Sequence, residues 1–266
     1  VDTSIRNISH RKRSESWANY PLGVLWALKE AGLFPDSGFE LILSTDLPLA
    51  AGLSSSAAVE LATALALLQL SGHKLGKSDL ARLCRRAENE FVGLPCGILD
   101  QGVSAYGQKD HLVLIDCEKE NFSTVPLPQN TCLWIFDTGI KHDLVDSLYS
   151  TRHSECSQAL KQLKKGEPAL PCLAAASEGL LTLTDLPEPL SKRALHVVEE
   201  NARVNLAIDL LLDGAPSKEI GQLLFASHAS SRDLFENSCP ELDFLVNDLR
   251  GHPGVLGARL TGGGFG

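Results

Sequence analysis

The fold of this chain is decided by one stretch: Pro48, Leu49, Ala50, Ala51, Gly52, Leu53, Ser54, Ser55, Ser56, Ala57 and Ala58. Before it, Phe39, Leu41 and Leu43 recur at every second position, which predicts a β-strand with one face on the core. After it, residues 59–70 are apolar nearly all round, interrupted by Glu60 and two other polar residues, as in a helix buried under a sheet. The stretch is therefore predicted to be the loop between a strand and a buried helix.

A loop of small residues that opens a buried helix is a candidate anion site. Its backbone N–H groups have no partners within the helix, and they lie at the positive end of the helix dipole. Gly52 allows the backbone to approach a ligand closely, and the serine hydroxyls can add hydrogen bonds or reach a magnesium ion. Phosphate fits such a site, but an ordinary helix start is also typical of Ser and Ala. The spacing alone leaves both alternatives open.

The composition describes an acidic globular protein. Its 266 residues are enough for one large or two moderate domains, and hydrophobic and charged residues make up 44% and 21% of them. The net charge of -9 argues against a nucleic acid or an anionic membrane surface as a partner. An acidic protein that binds phosphates must do so locally, through backbone N–H groups and a metal ion.

The cysteines and the two ends of the chain add further expectations. The seven cysteines include no CxxC pair, which favours reduced thiols in a cytoplasmic protein. No apolar run reaches the ~18 residues of a membrane span. His153 and Cys156 have the spacing of metal ligands, but a zinc site needs a second pair, and none accompanies them. The lack of methionine and the glycine cluster ending at Gly266 indicate an internal portion of a longer protein.

Other elements follow from periodicity. Helical spacing predicts helices over residues 17–28, 80–91, 143–163 and 190–212, and short apolar runs predict strands over 112–116, 132–137 and 255–260. Gly72, Gly76, Lys77 and Ser78 imitate a Walker A loop, but that motif needs four residues between its glycines, and only three are present. We predict instead that Gly72 ends one helix and that Ser78 caps the next.

Residues 48–58 resemble the second conserved motif of the GHMP kinases, in which this loop wraps the phosphates of ATP. The triple serine is most similar to the galactokinase branch of that family. Thr261 to Gly266 is similar to the third family motif, a glycine-rich loop near the phosphates. Trp17 resembles a tryptophan near the adenine, although a packing aromatic explains it equally well from sequence alone. The resemblance thus implies ATP binding by Trp17, Gly52, Leu53, Ser54, Ser55, Ser56 and Ala57.

A second segment also carries the resemblance. It resembles, in order and spacing, the galactokinase segment that carries a magnesium-binding glutamate and a catalytic aspartate. The matching residues are Glu88, Phe91, Gly93, Pro95, Cys96, Gly97, Ile98, Asp100 and Gln101. The match implies that Glu88 and Ser56 hold magnesium, that Asp100 is the catalytic base for the sugar hydroxyl, and that the backbone of Gly97 contacts the sugar. Without the resemblance, Asp100 is as well explained as a helix N-cap, and Glu88 as a solvated residue.

Later segments extend the resemblance to the end of the chain. Another galactokinase segment contains a tyrosine that touches the sugar. This chain resembles that segment at Asp137, His142, Ser147, Tyr149 and Arg152, and Tyr149 corresponds to the tyrosine. His228 to Asp243 resembles a late family signature with a structural role. The implied fold is the α+β GHMP kinase fold. Residues 1–105 would form an N-terminal domain similar to domain 2 of ribosomal protein S5, and residues 106–266 a ferredoxin-like C-terminal domain. Periodicity alone supports only a mixed α/β protein.

The activity implied by the resemblance is transfer of the γ-phosphate of ATP, with Mg²⁺, to the C1 hydroxyl of α-D-galactose, giving galactose 1-phosphate. The expected protein is a cytoplasmic monomer without nucleic-acid or membrane partners. A kinase for N-acetylgalactosamine or L-arabinose, or a non-catalytic sensor that binds galactose and ATP, is the alternative. The sequence departs from the family at its beginning, where the galactokinase signature with its catalytic arginine is not found. We expect the first strands and the last segment of the family fold to be missing.

Overall fold

The computed structural model describes residues 2–4, 7–10, 13–35, 38–47, 53–94, 96–139 and 145–265. The chain forms two compact units, Val1–Val125 and Pro126–Gly266. The described residues are mostly helical, with one sheet of two strands. No helix among them is long and apolar enough to cross a membrane.

The described residues of the first unit form four helices and a β-hairpin. They are α1 (Asn19–Glu30) after a 3-10 turn (Arg13–Ala18), α2 (Ser55–Ser71), α3 (Lys77–Arg86) continued by a π-helical turn (Ala87–Val92), α4 (Leu99–Tyr106), β1 (His111–Asp116) and β2 (Asn121–Pro126). Its core forms where α1, α2 and α3 pack together, with Leu28, Leu67 and Cys84 at most 1% exposed. The core supports the turn that carries Glu88.

Gly23 allows α1 to lie directly against that π-helical turn. A Cβ at Gly23 would lie 3.1 Å from the carbonyl oxygen of Ala87, which is tighter than ordinary van der Waals contact. The buried carboxylate of Glu88 follows Ala87 in the chain. The packing of two helices therefore fixes the backbone that carries this acid.

The hairpin packs on α4. Phe122 of β2 stacks on Tyr106 with 4.6 Å between the ring centroids, and a Cβ at Gly102 would lie 2.5 Å from the Phe122 ring. The hairpin consequently belongs to the first compact unit, which ends at Val125. The division into domains 1–105 and 106–266 stays a prediction.

The helix predictions for the first unit are confirmed, with corrections at two helix starts. The helix predicted over 17–28 begins as α1 at Asn19, because residues 17 and 18 belong to the preceding 3-10 turn. Residues 59–70 lie in α2, residues 80–91 run through α3 and its π-helical turn, and Gly72 ends α2 with φ of 74°. The N-cap of α3, however, is Gly76, so the prediction for Ser78 is wrong. Ser78 lies inside the helix, where its hydroxyl hydrogen-bonds to Tyr106 Oη at 2.6 Å.

The predicted strand at residues 39–43 is not present. Phe39, Leu41 and Leu43 are half-buried and their neighbours exposed, so the alternation of faces is as expected, but no described residue pairs with this segment. Alternation requires only an extended backbone, whereas a strand also requires a hydrogen-bonding neighbour.

In the second unit, the part of the chain that the structure describes forms five helices and shorter turns. They are α5 (Val145–Gly166), a 3-10 turn (Leu173–Ala175), α6 (Glu178–Leu183), α7 (Leu190–Leu212), α8 (Ser217–Ser230) with a π-helical turn (Ser231–Phe235), and α9 (Pro240–Arg250). Ala159, Leu163 and Ala194 are fully buried between α5 and α7. The helix predicted at 190–212 is confirmed, and that at 143–163 is confirmed from Val145 onward; residues 143 and 144 lie outside the described part.

The strand predicted at 112–116 corresponds to β1 of the first unit. The two strands predicted for the second unit are not found among its described residues. Residues 132–137 have no strand partner among the described residues, and Trp134 is 78% exposed. Residues 255–260 pack on α8 instead of pairing. A Cβ on Gly221 would lie 2.0 Å from the carbonyl oxygen of Leu256, so this contact requires glycine. Both predictions failed because apolar character does not specify which neighbour covers a segment.

Candidate active site

The start of α2 brings the serine loop into the first unit. Residues 48–52, including Gly52, lie outside the described residues, and Leu53 forms a bend just before the helix. Ser54 is the N-cap, with left-handed backbone angles (φ 52°, ψ 39°) that are uncommon for a residue with a side chain. Its carbonyl oxygen accepts the Ala58 N–H at 3.1 Å, while Ser55, Ser56 and Ala57 form the first turn. The amides of that turn point toward the loop, as an anion site requires.

Ser54 connects this loop to the predicted base. Its Oγ donates a hydrogen bond to Asp100 Oδ1 at 2.6 Å, across 46 residues of sequence. Asp100 is the second residue of α4, and the N-cap of that helix is Ile98. The N-cap alternative for Asp100 is therefore wrong, and its half-buried carboxylate instead faces the serine loop.

Glu88 lies in the buried part of the same cluster. Its Oε2 atom accepts hydrogen bonds from Gln101 Nε2 at 2.6 Å and from the Cys96 thiol at 3.5 Å. Burial raises its pKa, and hydrogen bonds from Cys96, Gln101 and Ser56 oppose that rise. With 6% exposure, Glu88 is not a solvated surface residue. The hydrogen bond from Ser56 to Glu88 brings the two predicted metal ligands into contact.

A second buried carboxyl group lies behind Glu88. Glu60 of α2 is 0% exposed, and its Oε2 accepts a hydrogen bond from Gln101 Nε2 at 3.0 Å. Burial, followed by the nearby charge of Glu88, raises the pKa of Glu60 to about 8. Burial also raises the pKa of Tyr20 and of Cys96, the latter to about 12, so neither forms an anion near neutral pH. The cluster is therefore acidic but only partly ionised.

Two further predicted residues of this unit are exposed. Trp17 is 55% exposed in the turn before α1, so it is not a buried core residue, and the choice between a packing aromatic and an adenine contact stays open. Gly97 is exposed, and a Cβ on it would meet nothing within 4 Å. Both surfaces are open to a ligand, and their roles toward adenine and sugar stay predictions.

The second unit contains the remaining predicted residues. Tyr149 of α5 is 45% exposed, and a Cβ on Gly263 would lie 3.6 Å from its ring. Gly263 belongs to the glycine-rich segment, which Asn237 anchors through Nδ2 to the Gly263 carbonyl oxygen (3.2 Å) and by accepting the Phe265 N–H (2.8 Å). Tyr149 therefore neighbours the segment that resembles the third family motif. His142 lies outside the described residues.

The predicted late signature supports this segment structurally. His228 is 2% exposed and its Nε2 lies 3.1 Å from Asp243 Oδ1, while its Nδ1 accepts the Leu260 N–H at 3.3 Å. Ser238 Oγ donates to the same Asp243 oxygen at 2.6 Å. Together these bonds tie α8 and the start of α9 to the segment that leads into the glycines.

Sequence reasoning missed the contribution of Glu60 and Gln101. The signal was present, because Glu60 is the only carboxylate in an otherwise apolar stretch of α2. A charged group in a buried helix is costly and requires a polar partner. The identity of that partner, Gln101 on a different helix, cannot be found from periodicity.

Comparison with known proteins gives the family of the chain. Residues 19–108 match the GHMP kinases N terminal domain. The galactokinase of Thermotoga neapolitana is 43% identical over 251 residues, which cover 94% of this chain and 69% of the relative. The galactokinase of Roseiflexus sp. is 40% identical over 268 residues, covering 100% of this chain and 68% of the relative. The chain belongs to the galactokinase family of GHMP kinases.

Solved structures of the family give the fold. The crystal structure of Lactococcus lactis galactokinase complexed with galactose has a TM-score of 0.86 at 34% identity, covering 96% of this chain and 66% of that one. A mevalonate kinase, at 17% identity and a TM-score of 0.59, shares the fold alone. This galactokinase-family chain thus has the GHMP kinase fold of an ATP-dependent sugar kinase. It spans about two thirds of the length of these galactokinases.

Proposed function

We propose that the cluster around Ser54, Glu88 and Asp100 transfers the γ-phosphate of ATP to the C1 hydroxyl of α-D-galactose. The observation that supports it most directly is the 2.6 Å hydrogen bond between Ser54 Oγ and Asp100 Oδ1. It brings the carboxylate that would receive a proton next to the loop that would hold the phosphates. Phosphoryl transfer requires this proximity, because positioning and charge stabilisation supply most of the catalysis.

ATP would be held mainly by backbone groups. The N–H groups of Ser55, Ser56 and Ala57 lack partners within α2 and are at the positive end of its dipole. These donors compensate phosphate charge in a protein whose net charge is -9. Gly52 and Leu53 would complete the loop, and the exposed ring of Trp17 would contact the adenine.

Magnesium fits the donor set at Glu88 and Ser56. A carboxylate and a hydroxyl are oxygen ligands of the kind that Mg²⁺ prefers, and this ion usually keeps several waters and binds substrate phosphates as well. The burial that raises the Glu88 pKa is a cost that a cation would offset. When bound, the ion would neutralise charge that develops on the transferred phosphoryl group.

Asp100 would accept the proton of the sugar hydroxyl. Ser54 donates to Oδ1, which holds the carboxylate beside the serine loop, and Oδ2 would accept from the C1 hydroxyl. Gly97, three residues earlier in the chain, would contact the sugar through its backbone, since no side chain obstructs it. Tyr149 would add a further contact to the sugar.

The finer architecture belongs to the same proposal. Residues 1–105 would form the domain similar to domain 2 of ribosomal protein S5, and residues 106–266 the ferredoxin-like domain of an α+β fold. We propose a cytoplasmic protein, because all seven cysteines are free thiols and ATP is the phosphate donor. The monomeric state stays a prediction.

The test is ADP release with galactose and MgATP. Asp100→Asn keeps the size of the side chain but removes the proton acceptor, and we expect kcat to fall by about 10²- to 10⁴-fold. The matched control is Asp110→Asn, because Asp110 is exposed and its left-handed backbone (φ 59°) suits Asn. Unchanged turnover in Asp100→Asn would refute the assigned role.

The same assay separates the alternatives. A higher kcat/KM for N-acetylgalactosamine or L-arabinose than for galactose would reassign the substrate. Binding of both ATP and galactose without ADP release would indicate a sensor.

A further inference from the structure

Glu60, Gln101 and Glu88 form a continuous chain of buried polar contacts behind the predicted metal ligands. Gln101 Nε2 lies 3.0 Å from Glu60 Oε2 and 2.6 Å from Glu88 Oε2, so one amide nitrogen bridges the two carboxyl groups. Glu60 and Gln101 are both 0% exposed. Glu60 therefore acts on its surroundings only through its protein neighbours.

Stability alone does not account for Glu60. Burying a carboxyl group costs free energy unless hydrogen bonds compensate, and neither Glu60 Oε1 nor Gln101 Oε1 has a hydrogen-bond partner among the described residues. Well-packed apolar residues of similar volume often replace buried ionisable groups without loss. What Glu60 contributes is an acceptor for one N–H of Gln101, which leaves the second N–H directed at Glu88.

We propose that Glu60 is a positioning residue that orients the Glu88 carboxylate toward Ser56 by fixing the side-chain amide of Gln101. The inference rests on the proposed function, in which Glu88 and Ser56 hold magnesium. Glu60 itself contacts neither the nucleotide nor the ion. Groups that orient a metal ligand in this way typically change metal affinity by about 10- to 100-fold when they are removed.

The test measures how much Mg²⁺ strengthens nucleotide binding. Calorimetry gives the Kd of a non-hydrolysable ATP analogue without and with Mg²⁺, and the ratio of the two is the magnesium gain. Glu60→Met, which keeps the volume but removes the acceptor, is expected to lower this gain about tenfold. The Kd without Mg²⁺ should stay within twofold of wild type. Glu60→Gln, which retains an acceptor oxygen, is expected to restore the gain.

A double-mutant cycle identifies the route of the effect. Because Glu60 acts through Gln101, Glu60→Met should have no further effect on the magnesium gain in a Gln101→Met background. The proposal would be overturned if the losses of magnesium gain in Glu60→Met and Gln101→Met were additive in the double variant. It would also be overturned if the magnesium gain of Glu60→Met equalled that of the wild type. If Glu60→Met does not fold, a Gln101→Met variant with the wild-type gain overturns it equally.

Failure of the proposed function would look different. Glu88→Gln should abolish the magnesium gain if Glu88 is a ligand. A wild-type gain that survives Glu88→Gln would refute the metal assignment itself. Loss of the gain in Glu88→Gln, with no loss in Glu60→Met, would refute only the positioning role.

Discussion

The contact between α8 and residues 255–260 supports a quantitative prediction for Gly221→Ala. The added Cβ would lie 2.0 Å from the Leu256 carbonyl oxygen and 2.3 Å from its carbon, whereas ordinary contact begins at 3.4 Å. Overpacking that flexible side chains can absorb costs about 1–3 kcal/mol. Here the obstacle is backbone on both sides, so we expect a loss of about 3 kcal/mol or more in the free energy of unfolding.

The assay is thermal unfolding followed by circular dichroism at 222 nm, where that loss corresponds to a decrease of about 10 °C in Tm. Gly179→Ala is the matched control. Gly179 lies in α6, and a Cβ on it would meet only Ser177 Oγ, at 3.8 Å. It should be stabilising by about 0.5–1 kcal/mol, the usual gain from replacing a helical glycine. A Gly221→Ala Tm within 1 °C of wild type would refute the close approach.

Gly257 faces Gly221 across the same contact and extends the test. A Cβ on Gly257 would lie 2.2 Å from the Gly221 carbonyl oxygen, so Gly257→Ala should be destabilising to a similar extent. Once either substitution has separated the helix from the segment, the second clash is relieved. The double variant should therefore lose clearly less than the sum of the single losses.

Two predictions concern buried charges of the second unit. Arg193 is 1% exposed and donates to Glu155 and Glu236 at 2.7 Å each, so Arg193→Met should cost about 3–5 kcal/mol in urea unfolding. Lys192→Met, which removes an exposed partner 3.5 Å from the same Glu236, should cost less than about 1 kcal/mol, and equal costs would contradict the burial argument. Burial lowers the pKa of His196 from 6.5 to about 4, so the unfolded state binds more protons between those values. Stability should then fall by about 2–3 kcal/mol as the pH falls from 6.5 to 4, and His196→Gln should remove this part of the dependence, as urea unfolding at several pH values would test.

Local pattern was sufficient for the long helices of this chain. The apolar spacing of residues 190–212 predicted both ends of α7, since helical hydrogen bonds lie within the segment itself. Strands depend on a neighbour distant in sequence, and for that reason the apolar residues 132–137 and 255–260 were misassigned. Whether an apolar segment pairs with a strand or packs on a helix is a tertiary property.

The candidate site was predictable in its members but not in its arrangement. Family resemblance selected Ser56, Glu88 and Asp100 from the sequence. It did not predict the left-handed backbone of Ser54 that accompanies its bond to Asp100, because backbone angles at a helix N-cap depend on the loop around it. Nor did it predict the contact between Glu60 and Gln101, two residues 41 positions apart in sequence that join α2 to α4.

The buried amide of Gln101 has one more consequence. Gln101 and Glu60 are 0% exposed and Glu88 is 6% exposed, so rotation of the Gln101 amide and exchange of its protons with water should both be slow. In a ¹⁵N-labelled sample the two side-chain protons should give separate, persistent resonances, each bonded to a different acid. A change of charge at Glu88 would shift one of them directly, which makes Gln101 a built-in spectroscopic probe of the site.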